Sequence, residues 1–153
     1  MTVFIKLLHW LCRLILSGVF IYSGYTKIQE PIQFAVAISG YKMVPDNLIF
    51  PLARSLPWVE IVLGLAILIG WKIRHFSTAA AALLLFFITI LSITIVRGIE
   101  ANCGCFGLDE RISPLTVFRD SLFLIPALYL VFEPWLAGKL LPRGFSRERR
   151  RPE

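Results

Sequence analysis

Residues 76–96 read FSTAAAALLLFFITILSITIV and hold no charged residue. A helix of this length covers about 30 Å, the thickness of a bilayer's hydrocarbon core. The stretch therefore predicts a membrane-crossing helix over 76–97, closed by Arg97. Its alanines, Ala79, Ala80, Ala81 and Ala82, suit close packing against neighbouring helices. Just upstream, Trp71-Lys72-Ile73-Arg74-His75 reads as a tight turn.

Before that turn a second apolar stretch predicts a span over 47–70, entered through Pro45 and Asp46 and containing Pro57, Glu60 and Gly64. Pro57 is a candidate kink or break, because it removes a helical N–H. The first span is predicted over 7–26, flanked by Lys6 and carrying Arg13 about two turns in, from where a long side chain can snorkel to the interface. It reads as an anchor: its apolar run ends at Tyr22-Ser23-Gly24-Tyr25-Thr26-Lys27, not at a small-x-small cleavage site. Between these spans, from Pro31 to Tyr41, the apolar residues Ile32, Phe34, Ala35 and Ile38 fit a short helix with one oily face. That helix is too short to cross and is placed along the membrane surface.

Downstream, Ser113 has the chemistry of a helix N-cap and Pro114 that of a first helical residue, predicting a fourth span over 114–135. The expected architecture is all-α: a four-helix transmembrane domain over 1–138, with a short interfacial helix between its first two spans. A basic tail, 139–153, follows. Composition agrees, since 57% of the 153 residues are hydrophobic and 17% charged, far from the balance of a soluble domain. There is no internal repeat and no nucleotide-binding glycine loop.

The net charge of +6 is concentrated in Lys139, Arg143, Arg147, Arg149, Arg150 and Arg151. This cluster follows a span and has no interleaved aromatic residues, so it points to anionic membrane lipid and not to nucleic acid. Its simplest role is to set topology. The tail lies on the same side as Lys6, Arg13, Lys72 and Arg74, whereas the other side carries only Lys27, Lys42, Arg97 and Arg111. Both termini are therefore expected in the cytoplasm and the loop after the third span outside it.

That loop contains Cys103-Gly104-Cys105. Outside the cytoplasm a disulfide can form and persist. Two cysteines separated by one residue can be bridged only if the backbone turns, which Gly104 permits. A small strained ring should be relatively oxidising, the behaviour of an exchanging disulfide. If the loop folds over the start of the fourth helix, the helix's positive end and Arg119 would favour the attacking thiolate. A redox role is preferred to three others the residues leave open: two inert thiols, a bridge that only pins the loop, or half of a soft-metal site. With no third nearby Cys or His in the chain, no metal is expected. Cys12 reads as a small apolar filler.

Ionisable residues within spans mark function or internal pairing. Here Lys27, Arg54, Glu60, Arg119 and Asp120 collect toward the outer half. They are expected to form a polar cluster beneath the cysteine loop, either fixing helix packing or handling protons or substrate.

The pattern Arg13, Gly18, Phe20, Gly24, Lys27, then Pro31, Phe34, Tyr41, Pro45, then Pro57, Glu60, Gly64 resembles the DoxX-like membrane proteins. Cys103-Gly104-Cys105-Phe106-Gly107 followed by Arg119-Asp120 resembles more narrowly the MauE branch, the methylamine utilisation accessory proteins. This resemblance covers nearly the whole chain. It implies a four-helix bundle in the bacterial cytoplasmic membrane, associated with disulfide formation or redox maturation of periplasmic proteins. Related bundles that oxidise thiols at the expense of a quinone use two cysteine pairs. The single pair here would exchange directly with a periplasmic thioredoxin-like partner and then with quinone, whose headgroup is expected near Arg119, Asp120 and Glu60. Two other classes compete with this thiol:quinone oxidoreductase reading. One is a small permease for a soft metal ion or a sulfur compound, with Glu60 lining a path. The other is a structural membrane subunit of an oxidoreductase.

Overall fold

The computed structural model describes residues 2–99, 102–103 and 111–140, with side chains from 3 to 132 within these. Cys105 and the tail from residue 141 onward lie outside the described residues. Five helices follow in order: α1 (Thr2–Gln29), α2 (Pro31–Gly40), α3 (Asp46–Ile69), α4 (Ile73–Val96) and α5 (Pro114–Leu140). The four long ones are all apolar and long enough to cross a membrane, and the short α2 lies between the first two of them. The described residues contain no strand. One isolated antiparallel bridge, Asn102 to Arg111, closes the base of the loop before α5. The fold is the one read from the sequence, and its four apolar helices fit a multi-pass membrane protein.

Local chemistry fixes the helix ends. Pro31 stands in the first turn of α2, where its missing N–H costs nothing. At α5 the Ser113 hydroxyl accepts the Thr116 N–H at 3.3 Å, the N-cap expected of it. α3 stops at Gly70, whose φ of 90° is left-handed and favours glycine. Neither Pro51 nor Pro57 ends α3, which runs unbroken through both. Pro57 is buried in the bundle, where neighbouring helices support the helix across the lost hydrogen bond.

The long helices pack in the cyclic order α1, α3, α4, α5, with α1 and α5 closing the ring. Ala80, Ala81, Leu16, Ile67, Ala127 and Leu130 meet at the centre of the main core. Of the four alanines of α4, Ala80 and Ala81 face this core, while Ala79 and Ala82 are exposed and Leu85, Phe86 and Ile93 point outward to where lipid would lie. α2 lays Phe34, Ala35 and Ile38 against Ile49 and Ala53 of α3. Ile32, read as part of its oily face, is instead 73% exposed. A helix beginning at Pro31 turns position 32 away from α3.

α1 and α3 run antiparallel in a register set by two glycines. A Cβ on Gly24 would lie 2.7 Å from the Pro57 carbonyl and from Ile61 Cγ1, and one on Gly64 would lie 2.8 Å from Ile21 Cγ1. These contacts are closer than any real side chain allows, so each helix offers the other a bare stretch of backbone. Farther along the same interface, Arg13 of α1 reaches the end of α3. Its Nε donates to the Ile67 carbonyl at 3.2 Å and its Nη2 to the Leu68 carbonyl at 2.7 Å. Arg13, expected to snorkel, thus gives its donors to terminal carbonyls of α3 that lack an intrahelical partner.

Candidate functional site

Two features meet at the end of the bundle where α1 finishes and α5 begins. The first is a buried ion pair. Lys27, in the last turn of α1, is 1% exposed, and its Nζ lies 2.5 Å from Glu60 Oε1 in the middle of α3. The Ser23 hydroxyl, one turn before Lys27, donates to the other carboxylate oxygen at 3.3 Å. Phe34 of α2 and Phe87 of α4 place their rings 5.0 and 4.9 Å from the ammonium. The ring faces give the buried cation a favourable surround. Both charges are thereby satisfied at a depth where a lone one would be costly.

This pair lines a small inner pocket together with Asp120 of α5, Phe20, Leu84 and Phe87. Asp120 is 3% exposed and takes a long contact, 3.4 Å, from the half-buried Arg119 beside it. The pocket's volume is about 30 Å³, room for about two water molecules. Of the ionisable residues singled out in the sequence, Lys27, Glu60 and Asp120 therefore converge, and Arg119 joins them through Asp120. Arg54 does not reach this group: it is exposed on α3 and lines a separate, outer pocket.

The second feature is Cys103. Its residue is 1% exposed and packs with Tyr41 and Leu91, against Ile90, Ile112 and Val117. The Tyr41 hydroxyl donates to the Cys103 carbonyl at 2.7 Å and lies 3.3 Å from that of Asn102. The loop is thus tied to the end of α2 and laid on the start of α5. Val117 and Asp120 are three residues apart on α5, as Phe87 and Ile90 are on α4, so Cys103 sits about one helical turn above the inner pocket.

Sequence reasoning did not assign Tyr41, Ser23, Phe34 or Phe87 to the site. Tyr41 and Phe34 read as parts of the short amphipathic helix and the family pattern alone, and Phe87 looks like any other apolar residue of a span. Only the buried cation that the two phenylalanines flank gives them a role.

A chain with this architecture and this constellation has relatives. A family model described as methylamine utilisation protein MauE matches residues 5–133. The methylamine utilization protein MauE of Paracoccus denitrificans is 30% identical over 122 residues, covering 78% of this chain and 66% of the relative. Those of Methylophilus methylotrophus and Paracoccus versutus are 28% identical over 94 residues and 29% identical over 125. They are covered over 50% and 67% of their own length, with 61% and 80% of this chain. The chain thus spans half to two thirds of the relatives it matches. No solved structure matches it. Because the family match runs from α1 through most of α5, across the ion pair, the inner pocket and the cysteine loop, the chain belongs to the MauE family.

Proposed function

We propose that the protein is a membrane thiol-disulfide redox protein whose Cys103-Cys105 pair exchanges with a thioredoxin-like partner or thiol substrate outside the cytoplasm. The observation that carries this reading is the position of Cys103. It is buried on the start of α5, held through its backbone by Tyr41, one turn from a pocket lined by Lys27, Glu60 and Asp120. A pair of inert loop thiols has no need of such anchoring. The orientation proposed with it puts both termini in the cytoplasm and the cysteine loop on the periplasmic face of a bacterial cytoplasmic membrane, as the Lys and Arg distribution favours. The wider DoxX-like likeness belongs to the same proposal.

The exchange balances without a further reagent. A partner thiolate attacks one sulfur of the disulfide, the Cys103–Cys105 bond breaks, and the other cysteine leaves as thiolate. The partner's second thiol then displaces the mixed disulfide. The partner ends oxidised and the pair ends as two thiols, with the reverse course available to an oxidised partner. Quinone, expected from the sequence near Glu60, Arg119 and Asp120, belongs to the same proposal, as a candidate acceptor; the pocket beside Glu60 and Asp120 holds about 30 Å³, so a headgroup there would need the helices to part.

The test is the redox state of the pair in purified protein, followed by thiol alkylation across glutathione and dithiothreitol buffers, with a quinone arm. Reversible cycling at a relatively oxidising potential, lost in a Cys103→Ser, Cys105→Ser protein, is the expected result. A pair that stays reduced in every buffer, or a bridge that only strong reductant opens, would overturn the proposal. Full function of the double-serine protein in cells would instead favour a structural subunit.

A further inference from the structure

The outer pocket shares Lys27 with the inner one and is otherwise lined by the end of α1, the start of α2 and α3. Its volume is about 370 Å³, within the range of pockets that hold small ligands. The walls are apolar: Ile32, Phe50 and Trp58 are 73%, 69% and 59% exposed around it, and Pro57 forms part of its base. No carboxylate lines it. Lys27 is already neutralised by Glu60, which leaves Arg54 as the pocket's uncompensated charge.

Arg54 stands eight residues into α3, about 12 Å along the helix axis from Asp46. It is exposed and forms no ion pair or hydrogen bond among the described residues. A cation that deep in a spanning helix is costly unless an anion or water meets it. We propose that the outer pocket binds one anionic phospholipid, its phosphate on the Arg54 guanidinium and an acyl chain against Trp58, Phe50 and Ile32. Arg matches phosphate with paired donors, and the aromatic and aliphatic wall suits a chain.

A quinone is the less suited occupant. Neither α4 nor α5 contributes to this pocket, whereas Cys103 is packed by residues of exactly those helices together with the far end of α2. α2 alone separates Pro31 at the pocket from Tyr41 at the cysteine by about 15 Å. A two-electron acceptor must touch a cysteine sulfur, and a lipid need not. This inference stands independently of the redox proposal.

The experiment is native mass spectrometry of the full chain in detergent, titrated with phosphatidylglycerol, phosphatidylcholine, inorganic phosphate or a short-chain ubiquinone. A protein with the tail arginines replaced by glutamine removes binding by the tail. The expected result is one retained phosphatidylglycerol, weakened about tenfold or more in Arg54→Gln and kept in Arg54→Lys. Arg54 is bonded to nothing among the described residues, so both variants should fold, which circular dichroism checks. Equal retention of phosphatidylcholine, unchanged binding by Arg54→Gln, or displacement of the lipid by inorganic phosphate or ubiquinone would overturn it.

Discussion

Arg13 Nη2 donates to the Leu68 carbonyl at 2.7 Å, joining the second turn-pair of α1 to the last turn of α3. The same guanidinium fills the space beside Gly70, where a Cβ would lie 2.8 Å from Nη2. The residue therefore stands in for the intrahelical donors that α3 lacks at its end. Replacing Arg13 with Ala should cost about 1.5–3 kcal/mol, the range for hydrogen bonds to charged groups. Lys, a single-point donor, should recover only part. Unfolding in mixed micelles measures both, and an unchanged Arg13→Ala protein would show that α3 ends as well without the cap.

Among the described residues Lys27 and Glu60 pair with each other, with Ser23 on the carboxylate and two rings on the ammonium. Lys27→Met should destabilise by about 3–5 kcal/mol, because it strands a buried carboxylate without its partner. Glu60→Gln should do the same to the ammonium. The double variant should recover most of the loss, since neither partner is then charged and unpaired. A double-mutant cycle of the unfolding free energy reads this coupling. Additive losses would mean that the two charges are solvated independently.

The spans were legible because membrane-crossing helices have a length and composition that nothing soluble shares. Ser113 and Pro114 were legible because capping is local. Register was not. Helices that are apolar on nearly every face carry little sign of which face meets which neighbour, so the contacts of Gly24 with Pro57 and Gly64 with Ile21 had to come from the structure. The same loss of register hid the acceptors of Arg13, which lie 54 and 55 residues away. It also explains Arg54, grouped with the buried charges although it is exposed and lines a different pocket.

The glycines of α1 divide sharply. Gly24→Ala would drive a methyl to 2.7 Å of the Pro57 carbonyl, and overpacking of that kind costs about 1–3 kcal/mol. At Gly18 a Cβ meets nothing within 4 Å. There, alanine should stabilise by about 0.5–1 kcal/mol through helix propensity alone. Opposite shifts of the thermal midpoint are expected from two identical substitutions six residues apart. Shifts of the same sign would mean that the α1–α3 approach is looser than the contact implies.

Cys103 is 1% exposed and its carbonyl is held by Tyr41, so an aqueous thiolate meets an obstructed sulfur at this position. An external partner is then expected to enter the pair through Cys105, with Cys103 as the leaving thiolate. With Cys12 replaced by Ala, the Cys103→Ser protein should form a mixed disulfide with oxidised glutathione at least about tenfold faster than the Cys105→Ser protein, whose only thiol is buried. Tyr41→Phe keeps the ring but removes the hydroxyl that ties the loop down, a loss of about 1–3 kcal/mol for a buried carbonyl. In the Cys105→Ser background it should therefore speed the reaction of Cys103 while leaving that of Cys105 in the other background unchanged. Equal rates for the two single-cysteine proteins would place the entry point at either sulfur. A Tyr41→Phe substitution without effect on Cys103 would remove Tyr41 from the control of access.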